Sequence, residues 1–248
     1  MSGSPPEGRE EIPVAEYVRR TFVPLSHLAH GWELHADVPL TPAEERTILR
    51  EPAQAVPASI AERLGKLRVL AVPFVACREG GDVVCFSKPQ TETHTAVWLE
   101  TAELIHLLLA CRELDPHDTG FEFLASVGEL LWPRLSREEL EQYNQLLEEE
   151  LRTGVSGEID EEAYAAKQAL HTRRVRHARS GEKFARYRNL SFVGTVAEYM
   201  HGLWHDVQIR VGPEHLPVPQ LRRRMNLLAD LFPPNPGYSL FAKELEEE

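Results

Sequence analysis

The chain has few cysteines and no long hydrophobic segment. Its 248 residues include only Cys77, Cys85 and Cys111, which form no CxxC pair, so a zinc ribbon is excluded. An odd number of thiols fits a reducing compartment in which they remain free. The longest apolar runs, residues 69–77 and 107–111, are too short to cross a bilayer, and the N-terminus lacks the apolar core of a signal peptide. We therefore expect a cytoplasmic protein that does not insert into a membrane.

The motifs of the common enzyme classes are also missing. The sequence contains no GxSxG, GxGxxG, GKS, GKT or HExxH segment, which are the signatures of frequent hydrolase and cofactor sites. Cys77 and Cys85 lie within predicted strands, where a thiol is normally inert packing rather than a nucleophile. The sequence therefore identifies no catalytic residue and does not decide whether the protein is an enzyme.

Positive charge is scarce and unevenly placed. The chain has 27 Lys and Arg residues against 39 Asp and Glu residues, a formal net charge of −12. Because a protein needs a positive field to displace counterions from phosphates, this acidic protein is not expected to wrap nucleic acid. Residues 136–162 hold ten acidic and two basic side chains, whereas residues 171–188 hold seven basic and one acidic.

The basic segment predicts an arginine-rich helix near the surface, running from about residue 161 to 180. Asp160 is suited to begin this helix as its N-cap, and Gly181 to end it. Its arginines are expected to contact the acidic helix at residues 137–150 or to bind a protein partner, and phosphate or nucleic-acid binding is a further alternative. The residues concerned are Arg173, Arg174, Arg176 and Arg179.

The hydrophobic pattern changes along the chain. Alternation predicts a strand at residues 31–39, and valine-rich segments on both sides of residues 79–82 predict a hairpin. Further strands are predicted at residues 94–99 and 104–111. After residue 119, helical periodicity dominates, with a capping box at Ser136 and Glu139. We therefore predict an α+β fold with a small, mostly antiparallel sheet in the N-terminal half and a helical C-terminal half.

The same patterns suggest how the chain is organised. Residues 1–11 are predicted to be a disordered tail, because they are rich in Pro, Gly, Ser and charge. Residues 12–118 form a mixed α/β region, and residues 119–242 form a helical region that is either separate or one domain with the preceding region. Residues 243–248 form an acidic tail.

A metal-ligand pattern occurs in the segment EYMHGLWHD. Glu198, His201 and His205 are spaced at i, i+3 and i+7, so they share one face of a helix and could bind zinc, iron or manganese. Val193, Val196 and other apolar residues lie on the opposite face, which favours the alternative that Glu198 and both histidines form a solvated polar face. No cofactor is therefore predicted outright.

The strand at residues 31–39 offers a second polar set. Glu33, His35 and Asp37 alternate with apolar residues and so share one side of the strand. They would supply two acids and a base if this side lined a cleft. A solvated strand face is the more economical interpretation.

The separation of an acidic segment from a basic one is more evident in the sequence than any set of catalytic residues. We therefore expect a soluble intracellular regulatory or adaptor protein that acts through protein–protein contacts. The alternative is a metal-dependent hydrolase that uses the Glu-x2-His-x3-His helix, and a second alternative is nucleic-acid or phosphate binding by the arginine-rich helix. The sequence identifies neither the partner nor the oligomeric state.

Overall fold

The α+β class is confirmed. A computed structural model of the chain describes residues 11–171, 181–205 and 212–241. It is 52% helical and 17% strand, with two sheets in the N-terminal half and helices mostly in the C-terminal half.

The described strands form two sheets. A four-stranded sheet has the order β1-β6-β5-β7, and a five-stranded sheet has the order β2-β3-β4-β9-β8. Five of the seven strand pairings are antiparallel, while β3–β4 and β4–β9 are parallel. The strands are β1 (Glu11–Pro13), β2 (Ser26–His27), β3 (Glu33–Ala36), β4 (Leu67–Val72), β5 (Phe74–Ala76), β6 (Val83–Cys85), β7 (Thr93–His94), β8 (Ala96–Glu100) and β9 (Ile105–Ala110).

The described helices are longest in the C-terminal half. No helix among the described residues is both long enough and apolar enough to cross a membrane. A π-helical turn, Arg46–Arg50, joins α2 to α3. The helices are α1 (Val14–Tyr17), α2 (Pro42–Glu45), α3 (Glu51–Ala55), α4 (Ala58–Leu64), α5 (Pro116–Leu131), α6 (Arg137–Thr153), α7 (Glu161–His171), α8 (Glu182–Trp204) and α9 (Val218–Leu231).

The predicted hairpin forms between β5 and β6, and the valine-rich segment before it is divided at Pro73. β4 belongs to the five-stranded sheet and β5 to the four-stranded sheet. Proline cannot donate a backbone hydrogen bond, so a change of sheet at this position leaves no ladder donor missing. The predicted buried strand at residues 104–111 is β9, and all six of its residues are buried.

Two helix starts predicted from local sequence are confirmed. The capping box at Ser136 and Glu139 is present, with the Glu139 N–H donating to the Ser136 hydroxyl at 3.2 Å. Asp160 caps α7 by accepting a 2.7 Å hydrogen bond from the Ala163 N–H. The first strand, β1, begins at Glu11, the last residue of the predicted tail, and residues 1–10 lie outside the described part of the chain.

The chain divides into two compact units. The first comprises Met1–Gln54 and Leu64–Phe123, and the second comprises Ala55–Arg63 and Leu124–Glu248. One boundary falls within α5. The division at residue 118 that the sequence suggested stays a prediction.

The first unit has a core shared by its two sheets. Tyr17 and Phe22 belong to one buried apolar cluster with residues of both sheets. The five-stranded sheet contributes Leu70, Val72, Leu108 and Ala110, and the four-stranded sheet contributes Ile12, Val75 and Val84.

The second unit contains a buried ionic network centred on Arg224 of α9, whose side chain is 0% exposed. Its guanidinium donates to Glu150 at 3.0 Å and to Glu158 at 2.7 and 2.8 Å. Glu158 also accepts from the Lys167 ammonium at 3.1 Å and from the Tyr187 hydroxyl at 2.6 Å. Two carboxylates and two cations are thus neutralised together without access to water.

Burial alone would raise the pKa of Glu158, because it disfavours the charged carboxylate. Arg224, Lys167 and the Tyr187 hydroxyl outweigh that effect and hold the pKa of Glu158 at about 2. In the same unit, hydrogen bonds from Arg63 outweigh burial and lower the pKa of Glu139 to about 2. Both carboxylates are therefore ionised in the folded protein at neutral and at mildly acidic pH.

We expect Arg224→Met to lower the free energy of unfolding by about 3–5 kcal/mol, because it leaves Glu150 and Glu158 buried without their main cation. Urea denaturation followed by circular dichroism measures this change. The neighbouring Arg223→Met is a matched control, since Arg223 pairs with Glu149 at the surface, with 51% and 43% of the side chains exposed. Equal effects of the two substitutions would contradict the assigned role of Arg224.

Stability should also fall in acid. The pKa of Glu158 is lower in the folded protein than in the unfolded chain. As the pH drops below 4.5, the unfolded chain therefore binds more protons than the folded protein. The stabilisation is present above pH 4.5 and is lost as the pH falls towards 2, and Glu158 alone contributes up to about 3 kcal/mol. Urea midpoints measured from pH 7 to pH 3 check this, and Glu158→Gln should flatten the dependence. A midpoint constant over this range would contradict the expectation.

Candidate metal centre

Three side chains of different chemistry converge at one end of the four-stranded sheet. Ligand atoms of Cys77, Asp82 and His94 all lie within 4.8 Å of one another. The His94 Nε2 is 3.4 Å from the Asp82 Oδ1. Among the described residues, this is the one set of three His, Cys, Asp or Glu side chains that meets this distance criterion.

The β5–β6 hairpin explains why these residues meet. Ala76 pairs with Val83, so Cys77 and Asp82 face each other one step further along, at the two ends of the turn. His94 pairs with Val75 on the other side of β5, which places it diagonally beside Cys77. All three side chains therefore emerge on the same face of the sheet.

The turn that holds Cys77 and Asp82 is closed locally. The Gly81 N–H donates to the Arg78 carbonyl oxygen at 3.0 Å. Gly81 has a φ of +107°, which a residue with a Cβ rarely adopts. The Cys77 N–H donates to the Glu92 carbonyl oxygen at 3.1 Å and so fixes the segment that leads to His94.

Arg78 clamps the backbone around the cluster. Its Nη1 donates to the Cys77 carbonyl oxygen at 3.0 Å and also to the Thr91 hydroxyl, and its Nε donates to Glu11 at 3.2 Å. The guanidinium lowers the pKa of the Glu11 carboxyl through these hydrogen bonds. The hairpin, β1 and the segment before β7 are therefore connected by one side chain.

The prediction that Cys77 lies inside a strand as inert packing is wrong. Cys77 follows the last residue of β5 and is exposed, whereas Cys85 and Cys111 are 1% and 3% exposed. Counting outward from the predicted turn would have placed Cys77 opposite Asp82. The position of His94 needed the pairing of β5 with β7, which the local sequence does not indicate.

The donor set suits a transition metal. A thiolate, an imidazole and a carboxylate are the ligands that zinc uses in proteins, and the sulfur disfavours calcium and magnesium. The Asp82 and His94 side chains are 36% and 39% exposed, so the cluster opens to solvent. Because the cluster has three protein ligands and is open to solvent, a bound ion could take a fourth ligand from solvent.

The sequence-predicted metal ligands behave differently from one another. Glu198 and His201 lie on α8 and are only 9% and 2% exposed, and their Oε1 and Nδ1 atoms are 3.9 Å apart. His205 is exposed and follows the end of α8, with an extended backbone at φ −127° and ψ 175°. The structure thus brings Glu198 and His201 together, and the His205 ring lies 5.6 Å from the His201 ring although the His205 backbone is no longer helical.

The expectation of a solvated polar face on α8 is wrong for Glu198 and His201. The helix was correctly expected to bury Val193, Val196 and Leu203. It also buries Tyr199 and Met200, so α8 is enclosed on most of its circumference and has no wide solvated side near its C-terminus. Among the described residues, the buried Glu198 Oε1 has no hydrogen-bond partner.

The predicted partner-binding arginines, Arg173, Arg174, Arg176 and Arg179, lie outside the described residues, so their expected contacts with α6 stay a prediction. Three acids of α6 pair with arginines from other helices of the second unit. These pairs are Arg63 with Glu139, Arg223 with Glu149, and Arg224 with Glu150.

The expectation of a solvated polar side on the predicted strand is wrong for His35 but not for Asp37, which is exposed, or for Glu33, which is partly exposed. His35 is 8% exposed, and its Nδ1 and Nε2 lie 3.0 Å from the Pro24 carbonyl oxygen and 2.9 Å from Asp37. The Tyr17 hydroxyl donates to Asp37 at 2.7 Å, and burial and the Asp37 carboxylate raise the pKa of Tyr17. Glu33 pairs separately with Arg68 at 2.7 Å. The three polar residues therefore have defined partners within the first unit.

Comparison with known proteins does not assign the chain to a family. No protein-family model matches it, and a search of curated proteins gives no significant match. The geometry of its own residues therefore carries the functional inference.

The two histidines of α8 provide a test of the burial pattern. We expect His201→Ala to lower the free energy of unfolding by about 2 kcal/mol or more, because it removes a buried ring. His205→Ala should change it by less than about 0.5 kcal/mol, since this side chain is exposed. Urea denaturation of the two single variants checks the difference, and equally small effects would favour the solvated face after all.

Proposed function

We propose that this protein binds a transition-metal ion, zinc in the first instance, through Cys77, Asp82 and His94. The convergence of their three ligand atoms within 4.8 Å is the observation that carries this proposal. The residues come from three separate positions in the chain, and strand pairing and the Arg78 clamp support their arrangement.

The spacing suits a tetrahedral ion. With zinc–ligand bonds of about 2.0–2.3 Å, neighbouring ligand atoms in a tetrahedron are roughly 3.3–3.7 Å apart. The Asp82 and His94 atoms, at 3.4 Å, are already within this range. The sulfur of the exposed Cys77 lies within 4.8 Å of both atoms.

The number of protein ligands indicates what a bound ion would do. Structural zinc sites usually have four protein ligands, whereas three protein ligands and a water molecule are typical of catalytic zinc. A zinc-bound water loses a proton near neutral pH and attacks carbonyl or phosphoryl groups. The proposal therefore keeps metal-dependent hydrolysis as the reaction class, with ligands different from those on α8.

The adaptor hypothesis and the nucleic-acid alternative stay predictions from the sequence. The adaptor hypothesis rests on the separation of acidic and basic segments, and the nucleic-acid alternative rests on the basic segment alone. Arg173, Arg174, Arg176 and Arg179 of that segment lie outside the described residues.

Isothermal titration of the full chain with zinc chloride tests the proposal. We expect one site per chain, and we expect Cys77→Ser and His94→Ala each to weaken binding by more than roughly tenfold, because each removes a ligand. Asp82→Asn should have a smaller effect in the same direction, since an amide oxygen is a poorer ligand than a carboxylate.

Two variants serve as matched controls. Cys111→Ala removes a buried thiol, and His201→Asn removes the buried imidazole of α8; neither should alter the titration. Binding that survives Cys77→Ser and His94→Ala but is lost in His201→Asn would place the metal on α8 and overturn the proposal.

A further inference from the structure

The three cysteines differ sharply in their access to solvent. Cys77 is exposed, while Cys85 and Cys111 are buried in strands or next to them. Burial raises the pKa of the Cys111 thiol to about 12 and also raises the pKa of Cys85. Because oxidants react with the accessible thiolate, the two buried thiols are protected from them.

We infer that Cys77 is a redox-modified ligand, whose oxidation by a hydroperoxide releases the bound metal. This inference rests on the proposed function, since it requires the metal to be held by Cys77, Asp82 and His94. Beyond metal binding, it states that an external oxidant controls whether the site holds its metal.

The chemistry is a two-electron oxidation of sulfur. A metal ion held by Cys77 would bind its sulfur as the thiolate, which is the form that oxidants attack. The sulfur electron pair attacks the terminal oxygen of the hydroperoxide, an S–O bond forms and the O–O bond breaks. The leaving alkoxide or hydroxide takes up a proton from water. Cys77 becomes a sulfenic acid, and the hydroperoxide is reduced to an alcohol or to water.

Loss of this one ligand should be enough to release the ion. Cys77 supplies the single sulfur of a three-ligand set, and Asp82 and His94 alone form a two-ligand, solvent-open site. A soft thiolate is also the donor that best distinguishes zinc from the abundant hard cations.

The protein framework should survive the oxidation. The hairpin is held by the pairing of β5 with β6 and by the Arg78 contacts to Glu11 and to the Cys77 carbonyl oxygen, none of which uses the sulfur. Reduction of the sulfenic acid by a thiol therefore returns the ligand to the same position, which makes the release reversible.

The experiment follows zinc release from the full chain loaded with one equivalent of zinc. Hydrogen peroxide is added in the presence of a chromogenic zinc chelator, and a sulfenic-acid trapping reagent with mass spectrometry locates the modified cysteine. We expect loss of about one equivalent of zinc, modification at Cys77, and rebinding of zinc after dithiothreitol is added and excess oxidant is removed.

Two variants make the result specific. Cys77→Asp keeps a short anionic ligand that peroxide does not oxidise, so its zinc should be retained during the same treatment. The double variant Cys85→Ala and Cys111→Ala should release zinc as the natural sequence does. Release from Cys77→Asp, or retention by the natural sequence when Cys77 is modified, would overturn the inference but leave zinc binding intact. Failure of the untreated protein to bind zinc would overturn both the inference and the proposed function.

Discussion

Arg224 carries a charge in the interior of the second unit, and the elements around it are arranged to neutralise that charge. An unpaired ion in this environment would cost several kcal/mol, a large part of the stability of a domain. Glu150 of α6, Glu158 before α7, and Ser191 of α8 each accept from its guanidinium. Three helices and one loop must therefore occupy fixed positions together, because a displaced element leaves a buried charge or hydroxyl without its partner.

Local signals in the sequence identified the elements of this unit but not the network. Ser136 and Glu139 predict a helix start because the two residues that cap the helix lie three positions apart in the chain. Glu150 and Arg224, by contrast, are separated by 74 residues, and in sequence each is one more charge on an amphipathic helix. Burial of such residues depends on which face meets a partner, and that pairing has no local signature.

The candidate metal site also depends on contacts that local sequence does not predict, although its residues are closer together in the chain. The hairpin and the strand that follows it were both predicted, and they contain Cys77, Asp82 and His94. The residues meet because β7 pairs with β5, a choice of neighbour that alternating hydrophobicity does not encode. On α8 the helical spacing of Glu198 and His201 was correct, but the solvated face was not, since enclosure of the helix depends on all its neighbours. Spacing along one element is readable from sequence, whereas the surroundings of that element are not.

The separation of Arg224 from its partners also sets an order of events in folding. Glu150 and Glu158 lie 74 and 66 residues before Arg224, so a growing chain completes α6, α7 and α8 before their main counter-ion exists. Without α9, closing those helices around two carboxylates would bury negative charge that, among the described residues, Lys167 alone would balance. Burial of this part of the second unit is therefore favourable only together with the docking of α9.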